Sequence, residues 1–100
     1  DTPMASGQPL RLMSNAVNRI TVGGNLAGPT QRISAEAALR AVTLGAAHSL
    51  RLEEEVGSIT PGKLANITVL AENPLKVSPE TIGDIKIWGT IHEGRVFPLQ

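Results

Sequence analysis

The stretch Glu55 to Leu75, EVGSITPGKLANITVLAENPL, decides how this 100-residue chain is read. It packs a Gly-Ser-Ile, a Pro-Gly-Lys, an alternating apolar run and an Asn-Pro stop into one ordered piece, with no nucleophile-base pair and no metal cluster. Gly57 to Ile59 has room for only a short strand. Thr60-Pro61-Gly62-Lys63 predicts a type II turn, because Pro61 suits the first central position and Gly62 supplies the positive φ of the second. Asn66 to Leu70 then alternates as a strand should, with Ile67 and Val69 on one face, and Asn73-Pro74 ends it. The stretch reads as scaffold.

Upstream the period is helical. In QPLRLMSNAVNRI, Leu10, Met13, Val17 and Ile20 recur at steps of three and four, which predicts a helix over about residues 9–21 with Pro9 in its first turn. GGNLAGPT must be a loop or turn. ISAEAALRAVTLGAAHSL comes next, with Ser34 as N-cap, Glu36 in the first turn, and Leu39, Val42, Ala46 and Leu50 on one side. Downstream, SPET predicts a short helical turn, with Ser78 as its cap and Pro79 first inside it, limited by Gly83. In DIKIWGTIHEGRVF, Ile85, Ile87 and Ile91 share a face, and Glu93-Gly94 marks a hairpin tip returning through Val96 and Phe97. Two helices followed by three or four strands make an α+β chain.

Composition bounds the function. Hydrophobic residues make up 41% of the chain and charged ones 18%, enough apolar material to fold, yet Trp88 and Phe97 are the only aromatics and the core is thin for an independent domain. Nine basic and nine acidic residues cancel and form no basic patch, so nucleic acid is not an expected partner. No apolar run reaches the roughly 18 residues of a membrane span. No cysteine is present, which excludes disulfides and thiolate metal sites and fits a reducing compartment, by default the cytoplasm. The first residue is Asp rather than Met, so the chain is expected to be cut, processed or incomplete at its start.

Spacing alone yields no site. His48 near a helix end and His92 on a strand's polar face are far apart, and each is explained by a surface position. Ser34, Ser58 and Ser78 sit where caps and turns explain them. Glu53, Glu54 and Glu55 read as a solvated linker, since carboxylate metal sites draw on several elements. GGNLAG has neither the preceding strand nor the following Lys-Ser of a phosphate loop.

The order of the pieces resembles a known family. Residues 33–97, from ISAEAALRAVTLGAAHSL through GSITPGKLANITVL to IHEGRVF, look like the C-terminal part of the metal-dependent amidohydrolase superfamily, in the branch called amidohydrolase family 3. There a helix with A-x-x-x-x-T-x-x-x-A leads into GSI-x-PGK-x-AD-x-x-V-L, a DPL turn, a PEEI turn and a strand hairpin. Asn66 departs from the Asp of that pattern, at a structural position. The resemblance implies a (β/α)8 barrel joined to a small β-sandwich built from both chain ends. A barrel needs about 250 residues, so residues 1–52 would hold its last helices and connecting loop, and residues 53–100 the C-terminal share of the sandwich.

The start, DTPMASGQPLRLMSNAVNR, resembles the segment after the eighth barrel strand, where the family carries a (G/H)-S-D-x-P motif. On that match Asp1 is implied to be both a metal ligand and the catalytic general base. The intact enzyme would use a divalent metal, with zinc expected, to hydrolyse an amide or other C–N bond of a small molecule. The remaining ligands, histidines and a lysine carbamate, would lie upstream, so the chain alone is expected to hold no metal and to be inactive. Its expected partner is the missing N-terminal barrel or a second copy of itself. The alternative is a stand-alone structural or oligomerisation module without catalysis; a His-x-His upstream would favour the enzyme.

Overall fold

The computed structural model describes residues 8–18 and 32–99. Helix α1 spans Gln8–Asn18, and Leu10, Met13 and Val17 are buried on one face as their spacing predicts. Ile20 and residues 19–21 of the expected helix lie outside the described residues. A second helical rod is built of α2, Ala35–Arg40, a π-helical turn, Ala41–Gly45, and α3, Ala46–Ser49. Ser34 caps it as expected, its Oγ accepting the Ala37 N–H at 3.0 Å.

The buried side of this rod differs from the expected one. Leu39 and Val42 do pack against the core, but Ala46 is exposed and Leu50 is 70% exposed, while Ala38 and Ala47 are buried instead. In an unbroken α-helix Ala38 and Ala47 would stand on opposite sides. The π turn absorbs one extra residue and rotates the residues after it by about 100°, which brings Ala47 under the loop at Gly57. The rod ends with Arg51 at φ 61, the Arg51 N–H bonded to the His48 carbonyl and the Leu52 N–H to that of Ala47. This is the Schellman closure, here made by Arg where Gly is usual.

Residues 57–59 form no strand. Gly57 at φ 102 turns the backbone away from an extended path, and side chains take over the pairing. Lys63 Nζ donates to Ser58 Oγ at 2.8 Å, and Ser58 and Thr60 share a hydroxyl bond at 2.8 Å. The next turn is as predicted, with Gly62 at φ 98 and the Lys63 N–H on the Thr60 carbonyl at 3.0 Å. A Cβ at Gly62 would meet nothing within 4 Å. Gly62→Val should therefore cost only the strain of positive φ, about 1–3 kcal/mol, read as a lowered midpoint in urea unfolding; an unchanged midpoint would remove the turn assignment.

Three strands, β1 Ile67–Leu70, β2 Ile87–His92 and β3 Arg95–Pro98, form an antiparallel sheet in the order β1-β2-β3. Glu93 at φ 50 and Gly94 at φ 85 close the predicted hairpin with the two positive-φ residues of a type I′ turn. Gly89 opposes Pro98, and a Cβ there would lie 2.7 Å from the Phe97 carbonyl oxygen and 2.8 Å from Pro98 Cα, so only glycine lets β3 pair this closely.

Between β1 and β2 runs a 3-10 helix, Pro79–Asp84, longer than the single turn expected. The Ser78 side chain does not cap it. Its carbonyl oxygen serves instead, accepting from the Thr81 N–H at 2.9 Å and Thr81 Oγ1 at 2.8 Å.

The core forms where α1 meets this 3-10 helix. Leu10, Met13 and Val17 pack with Ile82, Ile85 and Ala38, and Leu39, Val42, Leu70, Val77 and Ile87 close around them. Met13 and Ile82 are fully buried, and each burial stabilises the fold by about 1.5–3 kcal/mol. Asn18 adds a polar stitch, its Nδ2 donating to the Pro79 carbonyl at 2.9 Å. A register shift at Val69–Leu70 divides the isoleucine row expected on one face: Ile85 and Ile87 join this core, and Ile91 pairs with Ile67 outside it.

Candidate functional site

Asp1, the one residue to which the resemblance gives a catalytic and metal-binding role, lies outside the described residues. Among the described residues no three His, Asp or Glu side chains converge as a metal site requires. His48 is 78% exposed with its Nδ1 3.6 Å from Glu53 Oε2; His92 is 68% exposed with its Nε2 3.6 Å from Glu93 Oε2. The two imidazoles thus belong to separate surface pairs. Glu53 is more than a solvated linker residue, because its Oε1 is buried and meets no hydrogen-bond donor among the described residues. Glu54 and Glu55 are exposed, as expected.

Among the described residues, Ser58 and Lys63 bring a hydroxyl and a basic side chain together. Lys63 is the donor and Ser58 Oγ is also tied to Thr60, so the pair fastens the loop rather than freeing a nucleophile.

Asn66, where the sequence departs from the family's Asp, takes part in a specific contact. Its Oδ1 accepts the Glu93 N–H at 2.8 Å, and the neighbouring Ala65 carbonyl accepts the Gly94 N–H at 3.1 Å. The amide keeps the acceptor oxygen that an aspartate would offer, and the hairpin tip stays pinned. Asn66→Ala should lower stability by about 0.5–1.5 kcal/mol while Asn66→Asp keeps the bond; equal midpoints for the two variants in thermal unfolding would contradict this role.

An apolar groove of about 490 Å³ lies between the helical rod, α1 and β1. Leu39, Val42, Leu50, Leu52, Val56 and Ile59 form its apolar wall, and Asn66, Ile67, Thr68 and Leu70 its other side. Ile59 is 82% exposed and Leu50 70%. The helical period points to the rod side of this groove, since Leu39, Val42, Ala46 and Leu50, expected on one side, all line it; Leu52, Val56 and Ile59 of the following loop complete that wall. No helix among the described residues is long and apolar enough to cross a membrane.

A family model described as the amidohydrolase family matches residues 1–98. An N-substituted formamide deformylase of Arthrobacter pascens is 32% identical over 94 residues, covering 94% of this chain and 17% of that protein. The protein LONG AFTER FAR-RED 3 of Arabidopsis thaliana is 40% identical over 74 residues, covering 73% of this chain and 13% of that protein. No solved structure gives a significant match. The chain thus spans under a fifth of the length of either relative.

Proposed function

Because the chain belongs to the amidohydrolase family, we propose that it is the C-terminal piece of a metal-dependent hydrolase acting on an amide or other C–N bond. The observation that carries this reading is the match over residues 1–98 together with 32% identity to a protein named for deformylating N-substituted formamides. In this reading α1 and the second helical rod, within residues 1–52, are the last helices of a barrel. Residues 53–100 are the C-terminal share of a composite β-sandwich. The sheet supports that placement. Its register sets Ile67, Ile91 and Val96 in one cross-strand row and Val69, Gly89 and Pro98 in the next, so one face is wholly apolar. Ile67, Val69, Ile91 and Val96 take no part in the core cluster. Such a face calls for a second layer. The cysteine-free sequence supports a reducing compartment, the cytoplasm.

The described residues do not fit a metal site. The ligands, with zinc the first candidate ion, are accordingly assigned to the rest of the protein and to Asp1. Asp1 would contribute a carboxylate that takes and returns a proton during hydrolysis. The metal, when bound, supplies Lewis acidity and a more acidic water. The described part of the chain supplies the scaffold.

The test is a panel of N-substituted formamides and other small amides offered to the whole protein, with the released amine and acid measured by chromatography. Turnover that is lost on chelation and restored by a divalent metal is expected. A folded whole protein that cleaves no member of the panel, with zinc or manganese added, would favour the structural module.

A further inference from the structure

An exposed hydroxyl precedes the Pro61-Gly62 turn. Thr60, Pro61 and Gly62 are exposed, and Ile59 and Thr60 lie in neither helix nor strand. Pro61 disfavours helical backbone at the residue before it and so favours an extended Thr60. Among the described residues, Ser58, Ile59 and Thr60 donate no backbone hydrogen bond, so the segment can be drawn into a cleft without unzipping a strand. The family pattern GSI-x-PGK leaves the position before its proline open, and the Thr60 hydroxyl is this chain's own. Thr60-Pro61-Gly62-Lys63 is the order that a proline-directed serine/threonine kinase reads. Such a kinase seats the residue after its target where a backbone N–H would find no acceptor, and proline has no N–H. A basic residue three places after the target, here Lys63, adds an ionic contact.

The surroundings of Thr60 also suit a phosphate. Ser58 Oγ and Thr60 Oγ1 are 2.8 Å apart, and Lys63 Nζ donates to Ser58 Oγ at 2.8 Å. Lys63 Nζ is thus no more than two such steps from Thr60 Oγ1, within reach of the outer oxygens of a phosphate attached there. Among the described residues the ion pairs are His48 with Glu53 and His92 with Glu93, and Lys63 is in neither. We infer that Thr60 is a phosphorylation site, modified by a proline-directed kinase with ATP as donor, and that Lys63 and Ser58 receive the phosphate. Thr60 Oγ1 attacks the γ-phosphorus, the bond from that phosphorus to the oxygen of the departing ADP breaks, and the hydroxyl proton passes to the kinase's catalytic carboxylate. The product carries about −1.5 to −2 charges at neutral pH. Lys63 then exchanges a neutral acceptor for an anionic one, and the charge-assisted bond ties the two sides of the turn together. Nothing in this step involves the hydrolase reading, and the two stand or fall apart.

The whole protein, isolated from its own cells with phosphatases inhibited, should carry one phosphoryl group at Thr60 by mass spectrometry. A purified proline-directed kinase with ATP should add the same group, and Thr60→Val should abolish the addition at this position. Pro61→Ala should lower that kinase's kcat/KM by about 10-fold or more, because it restores an N–H with no partner in the kinase. In urea unfolding the phosphorylated form should have the higher midpoint, and Lys63→Gln should erase the rise. A protein with no phosphate at Thr60 in its own cells overturns the inference, whatever a purified kinase achieves. Unchanged phosphorylation of Pro61→Ala would overturn the kinase class, and an equal midpoint rise in Lys63→Gln would remove Lys63 from the phosphate site.

Discussion

Asp1→Asn in the whole protein is expected to lower turnover by about two to four orders of magnitude, the range for loss of a general base. The amide has the size and shape of the carboxylate and can still accept a hydrogen bond. It cannot take up a proton at neutral pH. Because the lost interaction is made in the transition state, kcat and kcat/KM should fall together, with little change in KM. Circular dichroism melting of the variant should match the parent, which separates loss of chemistry from loss of fold. A variant with normal rates would remove Asp1 from the site, and the D-x-P match at residues 1–3 would then be coincidental.

Gly57→Val should be the most damaging single change in the described part of the chain. Two costs fall on the same residue. Its φ of 102 lies where a β-branched side chain is strained by about 1–3 kcal/mol. A Cβ there would stand 2.8 Å from the Ala47 Cβ and 3.1 Å from the Leu44 Cα, atoms fixed to the helical rod that cannot swing aside. Overpacking of this kind costs about another 1–3 kcal/mol. Together they come to about 2–6 kcal/mol, a large part of the roughly 5–15 kcal/mol that holds a domain of this size. Gly62→Val is the internal control, with a similar φ of 98 and open space around its Cβ. The difference between the two variants in urea unfolding isolates the contact with the rod. If Gly57→Val cost no more than Gly62→Val, the close packing of this loop on Leu44 and Ala47 would be wrong.

Features set by local chemistry are legible in the sequence. Ser34 before an apolar period, Pro61-Gly62 between a hydroxyl and a lysine, and Glu93-Gly94 between alternating runs all specify backbone conformations within a few residues, and each is found. Features set by distant contacts are not. The π turn at Ala41–Gly45 is not specified locally, since Val, Thr and Gly weaken an α-helix without calling for a π turn; it changes which side of the rod is buried. The alternation at 57–59 suggests a strand, but Gly57 packs against the rod at a positive φ and the hydroxyls pair with Lys63 instead. Ser78 has the sequence context of a side-chain cap and uses its carbonyl. The rod side of the apolar groove is legible in the helical period of Leu39, Val42, Ala46 and Leu50, which all line it, but its other side is not, because it needs the edge of β1 beside the rod. Asp1 is identified by family likeness alone, because a single carboxylate near a proline has no chemistry until other ligands converge on it.

On the proposed reading this chain would be scaffold, contributing one carboxylate to a site whose other groups would lie in the rest of the protein. The most direct measurement is equilibrium dialysis of the isolated 100-residue chain against zinc, paired with an assay for N-substituted formamide hydrolysis by the same sample. Catalytic zinc sites take three protein ligands, and the described residues bring no three together. The chain should therefore bind no stoichiometric zinc and release no amine. Tight binding of one zinc per chain together with turnover by the 100 residues alone would contradict the scaffold role.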